Sequence, residues 1–304
     1  MVDRRRNNEQ IKMSRTNKQR GFTLPEQIIV VAGIVLLAAI AMPAIKAFFK
    51  TFESTDAAKT MISSALTTAQ SIAIKQQRYA GIRFQIAGYH GPSIDEENRD
   101  KLMKGGQYII FIVHDPDKTD LASGFRAVQG IAPIKLPDSV GVMDLKRRDN
   151  KDASESDYID ITKSELGPDT ELLSSKILRD TTSFSIVFSP QGKLVVHDVR
   201  IRNRNGVRET SGQALVPSLD DVFNTLIRVS GLYKPSAGQF VQDDYAELGL
   251  GQEPGRRSFI IYEKEKLKEA YNSNEPYSGY LIDLDEVYIN PYTGTIINPQ
   301  KQED

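Results

Sequence analysis

The chain contains no cysteine in 304 residues. Disulfides, thiolate metal sites and cysteine nucleophiles are thereby excluded. Histidine is nearly as scarce, with three in all: His90 stands in a Gly–Pro loop, His114 closes one expected strand and His197 lies within another. No serine occupies a Gly-x-Ser-x-Gly turn, and neither an H-E-x-x-H helix nor a phosphate-cradling glycine loop occurs. The chain is therefore expected not to be an enzyme and to need no cofactor. No internal repeat is present. Excess charge is lacking as well, the formal net being −1. That total hides an asymmetry, because residues 1–21 carry seven basic side chains against two acidic ones and leave the remainder at −6. A mildly acidic body is a poor nucleic-acid binder.

What is present is one long apolar run. Phe22–Ile45 (FTLPEQIIVVAGIVLLAAIAMPAI) holds one ionisable side chain, Glu26. As a helix it is about 36 Å long, enough for a hydrocarbon core of about 30 Å. The basic flank on its N-terminal side keeps residues 1–21 cytoplasmic and sends the rest outward. A secretory signal peptide is the rival reading, and Ala39–Ile40–Ala41 resembles its cleavage site. Such a signal has an apolar core of only about 7–15 residues, however. Here the run is longer, and an amphipathic helical pattern continues out of it. A carboxylate at the membrane edge is costly, which makes Glu26 a candidate functional residue.

The helical period persists through Ile45, Phe48, Phe49 and Phe52, then Ala58, Ile62, Ala65, Ala69 and Ile72, one stripe facing a core. A helix from Phe22 to Gln77 would be about 84 Å long. Strands are expected at Arg78–Ile86, Gln107–His114 and Phe125–Leu136, with 87–106 a loop between the first two. Residues 144–180 read as a charged insertion or mobile loop. Thr182–Phe188 and Lys193–Ile201 flank the turn Ser189–Pro190–Gln191–Gly192, a strong hairpin signal. Residues 203–257 read as irregular, with a short helix at Asp220–Arg228. Ser258–Tyr262 is a strand, Glu263–Tyr271 a short helix, and Tyr280–Ile289 pairs with Thr295–Ile297 across the turn Asn290–Gly294. A long helix followed by mostly antiparallel strands makes an α+β fold.

Two acidic groups offer oxygen ligands at alternate positions: Asp115, Asp117 and Asp120, then Asp283, Asp285 and Glu286. Neither has the glycine and distal glutamate of a calcium loop. They read as solvated turns, and no metal is expected. Arg200, Arg202 and Arg204 alternate along a strand, with Arg208 following, so that they share one face opposite Val199 and Ile201. The expectation is an exposed face that discourages edge pairing, or a docking site for an acidic partner. The aromatic interleaving of single-strand binders is absent.

The segment Arg20–Gly21–Phe22–Thr23–Leu24–Pro25–Glu26 resembles the processing site of type IV prepilins and type II secretion pseudopilins. The resemblance implies that residues 1–21 are a leader, cut between Gly21 and Phe22 by a prepilin peptidase that methylates the new amine. It implies a transmembrane and assembly helix over 22–45, bent at Pro43. A pilin-like globular domain over 46–304 would follow, with insertions near 144–180 and 203–257. Glu26 falls where the family carries the glutamate that meets a neighbouring subunit's terminal ammonium. Pro25 departs from the usual aliphatic residue, but a proline in the first helical turn removes no internal hydrogen bond. Ala65–Phe84 and the hairpin FSPQGKLVV look most like the H-type minor pseudopilins, a likeness that residues 203–280 do not share. The implied protein is a minor pilin or pseudopilin of the inner membrane, with its C-terminal domain periplasmic or extracytoplasmic. It would join other pilins or pseudopilins through an assembly platform driven by a cytoplasmic ATPase. The alternative is a filament-tip subunit that holds DNA or another surface ligand.

Glu26→Ala is expected to insert into the membrane at least as well as the unchanged chain. Its incorporation beside partner pilins should fall by about two orders of magnitude or more, because stranding one member of a buried ion pair costs roughly 3–5 kcal/mol. Cross-linking at matched membrane levels checks this; equal incorporation removes the register role.

Overall fold

An α-helix, α1, covers residues 54–76, and its 3.6-residue period decides which side it buries. The computed structural model describes residues 54–87, 96–152, 155–202 and 252–297, all within the unit Lys50–Asp304. On α1, Ala58, Ile62, Ala65, Leu66, Ala69 and Ala73 are at most 1% exposed. Four of these six are alanines, so the backbone itself approaches the sheet. Ile72, expected in the stripe, lies half-buried at its margin. The opposite face carries Thr60, Thr67, Thr68 and Ser71, whose hydroxyls donate to the carbonyl four residues back. The helix ends where Gln77 turns left-handed (φ 52°) and its side-chain amide donates to the Ile74 carbonyl at 2.7 Å.

The main sheet is built from β1 (Ala80–Ile86), β2 (Gln107–His114), β3 (Gly124–Ala127), β4 (Ile134–Lys135), β8 (Phe184–Phe188), β9 (Leu194–Val195), β10 (Asp198–Arg202) and β11 (Glu253–Pro254). The strand order is β11-β10-β3-β2-β1-β8-β9, with β4 also on β2. All pairs are antiparallel except β10 with β3. Both faces are buried. Ala80, Ile82 and Phe84 of β1 face α1 together with Ile109, Phe111, Val113, Phe184, Ile186 and Phe188. The other face gathers Ile110, Ile112, Phe125, Ala127, Val187, Val199 and Ile201. Gly81 lets β1 come close to β8, since a Cβ there would stand 2.1 Å from the Ile186 carbonyl oxygen.

The sheet is curled, and chain length shows why. Five strand spacings separate β10 from β9, about 24 Å if flat. Yet Val195 and Asp198 end and begin those strands, and three residue steps reach at most about 11 Å. The two margins must therefore meet. The single strand expected over Lys193–Ile201 is accordingly two strands on opposite sides of the sheet.

A second sheet, β14-β13-β12-β5, combines Val140–Met143 (β5), Ser258–Glu263 (β12), Glu286–Ile289 (β13) and Ile296–Ile297 (β14). It completes the core around α1 with Val140, Val142, Phe259, Ile261, Val287 and Ile289. Its β13–β14 hairpin follows the expected turn, with Asn290 Oδ1 accepting from the Tyr292 and Thr293 amides and Gly294 at φ 69°. Tyr280–Leu284 is not strand; a 3-10 turn occupies Leu281–Asp283. One side chain bridges the two sheets at β5. The Gln107 amide accepts from Val142 N–H at 2.6 Å and donates to the Val142 and Thr182 carbonyls at 2.8 and 2.9 Å. It stands where another strand would pair with β5.

Several expectations are corrected here. Residues 96–104 within the expected loop form α2 (Glu96–Lys104), with Lys101 and Lys104 in the last turn where the helix dipole favours cations. The expected strand Phe125–Leu136 is split into β3 and β4 by the turn at Gly130, φ 83°. Residues 144–180 are not simply a mobile loop. They form the hairpin β6 (Lys146–Asp152) and β7 (Glu155–Asp160), a 3-10 turn, α3-independent helices α4 (Pro168–Leu172) and α5 (Ser175–Thr181), where α3 is the short Pro116–Thr119 turn of helix. Ile161, Leu172 and Leu178 of that region are fully buried. They share a core with α2, the far face of the second sheet and α6 (Lys264–Asn272). The expected short helix over Glu263–Tyr271 matches α6 within a residue. The helix expected at Asp220–Arg228 lies outside the described residues.

Gln107→Leu is expected to destabilise the fold by about 2–4 kcal/mol. It leaves a buried N–H and two carbonyls without their partner, at about 1–3 kcal/mol for each group left wholly unmet. Urea titration of the variant against the unchanged chain measures the difference; a change below 0.5 kcal/mol (about the noise of a surface substitution) refutes the joining role.

Candidate functional site

Gly21, Phe22, Glu26, Pro43 and Arg204 lie outside the described residues. Arg200 and Arg202 lie on β10, facing away from Val199 and Ile201 as alternation requires. Their exposure is not as expected. Arg200 is half-buried and Arg202 only 5% exposed. β10 pairs with β3 over Arg200–Arg202 and with β11 at Asp198 and Val199, so it is not an edge strand. Arg202 stands beside Arg126 in the parallel register of β10 and β3.

Arg126 leads to the first acidic group. Its Nε donates to Asp115 Oδ2 at 2.6 Å, and Arg78 Nη1 forms an ion pair with Oδ1 at 3.1 Å. Asp115 is therefore a buried ion-pair acceptor, not a solvated turn residue. Burial pushes its carboxyl up. The Arg126 hydrogen bond and charge, aided by Arg78 and Lys118, outweigh that and hold it below the usual carboxylate range. Asp117 and Asp120 are exposed around α3. Among the described residues, no group of three or more histidines or carboxylates is placed to hold a metal ion.

Of the second acidic group, Asp283 and Asp285 are exposed, while Glu286 borders a cleft of about 230 Å³ lined also by Met143, Leu145, Phe259, Leu281 and Asp160. Its carboxylates are engaged: Asp160 Oδ1 accepts from Thr162 N–H and Oγ–H at 3.1 and 2.6 Å, and Glu286 from the Tyr288 hydroxyl at 2.5 Å. Behind it Asp144 pairs with Arg256. Burial pushes Asp144 up to about 6 despite the charges of Arg256 and Lys146. A hydroxyl–carboxylate pair does exist in the curled sheet, where Ser185 Oγ donates to Glu253 Oε1 at 2.6 Å and Arg83 Nη1 donates to the same oxygen at 2.5 Å. All three residues are at most 2% exposed, so no substrate meets the serine. This is packing chemistry.

Sequence reasoning kept the histidines apart, but two of them meet. His114 and His197 have ring centroids 5.3 Å apart, in a group with Tyr79 and Phe125. Only the crossing from β9 to β10 brings His197 there. No local pattern signals it.

Asp115→Asn is expected to cost about 2 kcal/mol at pH 7, since hydrogen bonds to charged groups are worth about 1.5–3 kcal/mol. Asp115 is lowered in the fold, so its contribution is whole above its ordinary value of 3.8 and is lost as pH falls through the folded value. Urea titrations of variant and unchanged chain should therefore converge in acid below that value. A gap that stays constant there contradicts the ion pair.

Among the described residues no helix is long and apolar enough to cross a membrane; Phe22–Ile45 lies outside them. No family model matches the chain, and no curated protein or solved structure matches it either.

Proposed function

We propose that this chain is a minor pilin or pseudopilin, a structural subunit of a type II secretion or type IV pilus-like filament and not an enzyme. In this reading a prepilin peptidase removes residues 1–21 and methylates Phe22. The helix over 22–45 holds the precursor in the inner membrane until an assembly platform passes it to other pilins. The observation that carries the reading is the run Arg20–Glu26, set between a basic leader and an apolar stretch of spanning length. Further support comes from α1, which follows that stretch in the sequence and lays one alanine-rich face on an antiparallel sheet. The rival, a tip subunit that holds DNA or another surface ligand, draws on three arginines, and the burial of Arg202 removes one of them.

Co-expression with a prepilin peptidase should shorten the chain by 21 residues (Met1 to Gly21) and leave N-methylated Phe22. Gly21→Leu should remain full-length in the membrane. Mass spectrometry of the membrane fraction decides. An intact Met1 beside an active peptidase, or a cut near Ala41, would falsify the assignment.

A further inference from the structure

The shortest crossing in the fold carries an aromatic residue at its end. Val196 and His197 alone connect β9 to β10, and the curled sheet closes through them. His197 is the better held of the two. Its ring centroid lies 4.3 Å from Tyr79, 5.3 Å from His114 and 5.4 Å from Phe125. Its carbonyl accepts from Gly255 N–H at 2.8 Å. Val196, beside it, is 54% exposed. The link is therefore fastened at the histidine.

Hydrogen bonds fix how the two rings are protonated. His197 Nδ1 lies 2.6 Å from the Asp198 carbonyl oxygen, and His114 Nε2 lies 2.7 Å from that of Ala122. A carbonyl only accepts, so each of these nitrogens carries a proton, and in a neutral ring the other nitrogen carries none. Neither imidazole bonds a carboxylate. The charged groups nearby do not make up for this. Asp115, next to His114, is taken by Arg78 and Arg126. Asp198 is exposed, and Arg200 on the same strand is a cation. The faces of Tyr79 and Phe125 ease a single positive charge, but two imidazolium rings at this separation repel.

We propose that His197, packed against His114 and Tyr79, is an acid-sensitive latch: neutral, it holds the β9–β10 link over the end of the curled sheet, and protonation releases it. The direction follows from the surroundings of His197. Burial is the largest influence; together with the neighbouring His114 it outweighs the Asp198 carbonyl and carboxylate, which favour the charged ring, and keeps the ring below the ordinary histidine value of 6.5. The unfolded or released chain thus takes up its proton before the closed one does. The stability that the neutral ring supplies is whole above that ordinary value and is lost as pH falls towards and through the folded value.

Amide hydrogen exchange of the full chain, corrected for the intrinsic pH dependence of exchange, tests the latch. Between pH 7.5 and pH 5, peptides holding Gly255 and Arg200 should lose about tenfold or more of their protection, a change that a shift of about 1.4 kcal/mol produces. Those amides donate to His197 and Ser123. Peptides from β1 and β2 should keep theirs. His197→Phe retains a ring without a charge and should abolish the acid response; His197→Gln should do the same if the first variant folds poorly. Unchanged protection at pH 5, an equal loss in both variants, or a loss spread evenly over β1 and β2 overturns the proposal.

Discussion

Val195 ends β9 and Asp198 begins β10, so two residues carry the chain from the margin strand β9 to a strand five places across the main sheet. That short reach forces the curl, and the curl encloses the face opposite α1. Side chains that would otherwise meet water are then committed to an interior. Arg83 is the extreme case, 2% exposed on a strand whose other residues are mostly apolar. It is met by Glu253, Ser185 and Gln85, which accept from or bridge to its guanidinium. A buried pair of this kind adds little net stability over an apolar replacement, but losing one partner is expensive, at about 3–5 kcal/mol. Its effect is on placement. Glu253 comes two residues after the undescribed 203–251, and any other register of β11 on β10 would strand both charges. The pairing of Val199 with Glu253 therefore fixes the register of β11 on β10.

The second sheet is attached differently. Its β5 strand pairs with β12 on one side, and on the other meets the Gln107 side chain in place of a backbone. A glutamine amide has both a donor and an acceptor in the spacing of a peptide group, so it satisfies Val142 on both counts. The third bond, to the Thr182 carbonyl, ties the same amide to the end of α5 just before β8. One side chain thus joins β2, β5 and the approach to β8. The apolar contacts of α1 with both sheets supply the larger driving force; the amide supplies register.

Elements whose signal is local were legible. The run Gln107–His114 is read from its continuous apolar residues, α1 from its alanine period, and the turn at Ser189–Gly192 from its residues. Elements that draw on distant partners were not. Ile161, Leu172 and Leu178 are spaced too widely to show a period, and each gives one side chain to a core shared with α2 and α6. Lys193–Ile201 holds no glycine or proline, so no turn residue in it announces the crossing at His197. The arginines illustrate the same limit at the candidate site. Alternation placed Arg200 and Arg202 on one face, while nothing in the local pattern tells how far that face is covered. Asp115 read as a turn carboxylate because its arginine partners come from the end of α1 and from β3.

These two kinds of order bear differently on the proposed function. The residues that carry it, Gly21, Phe22 and Glu26, act through local chemistry: a small residue at a cut, a new amine, a carboxylate near a membrane edge. They need no folded surroundings to be read. The domain over the second unit has another task in that reading, to hold α1 by one face and leave the other presentable. Thr60, Thr67, Thr68 and Ser71 turn their hydroxyls back onto the helix, so that face asks for no external hydrogen bond. A neighbouring subunit approaching Thr60, Thr67, Thr68 and Ser71 would displace water from short side chains whose hydroxyls are already bonded. Large exposed residues are few along α1, Ile74 near its end being 46% exposed. A subunit that must stay single in the membrane and then pack into a filament gains from such a face, since it offers close approach without an apolar patch that would associate beforehand.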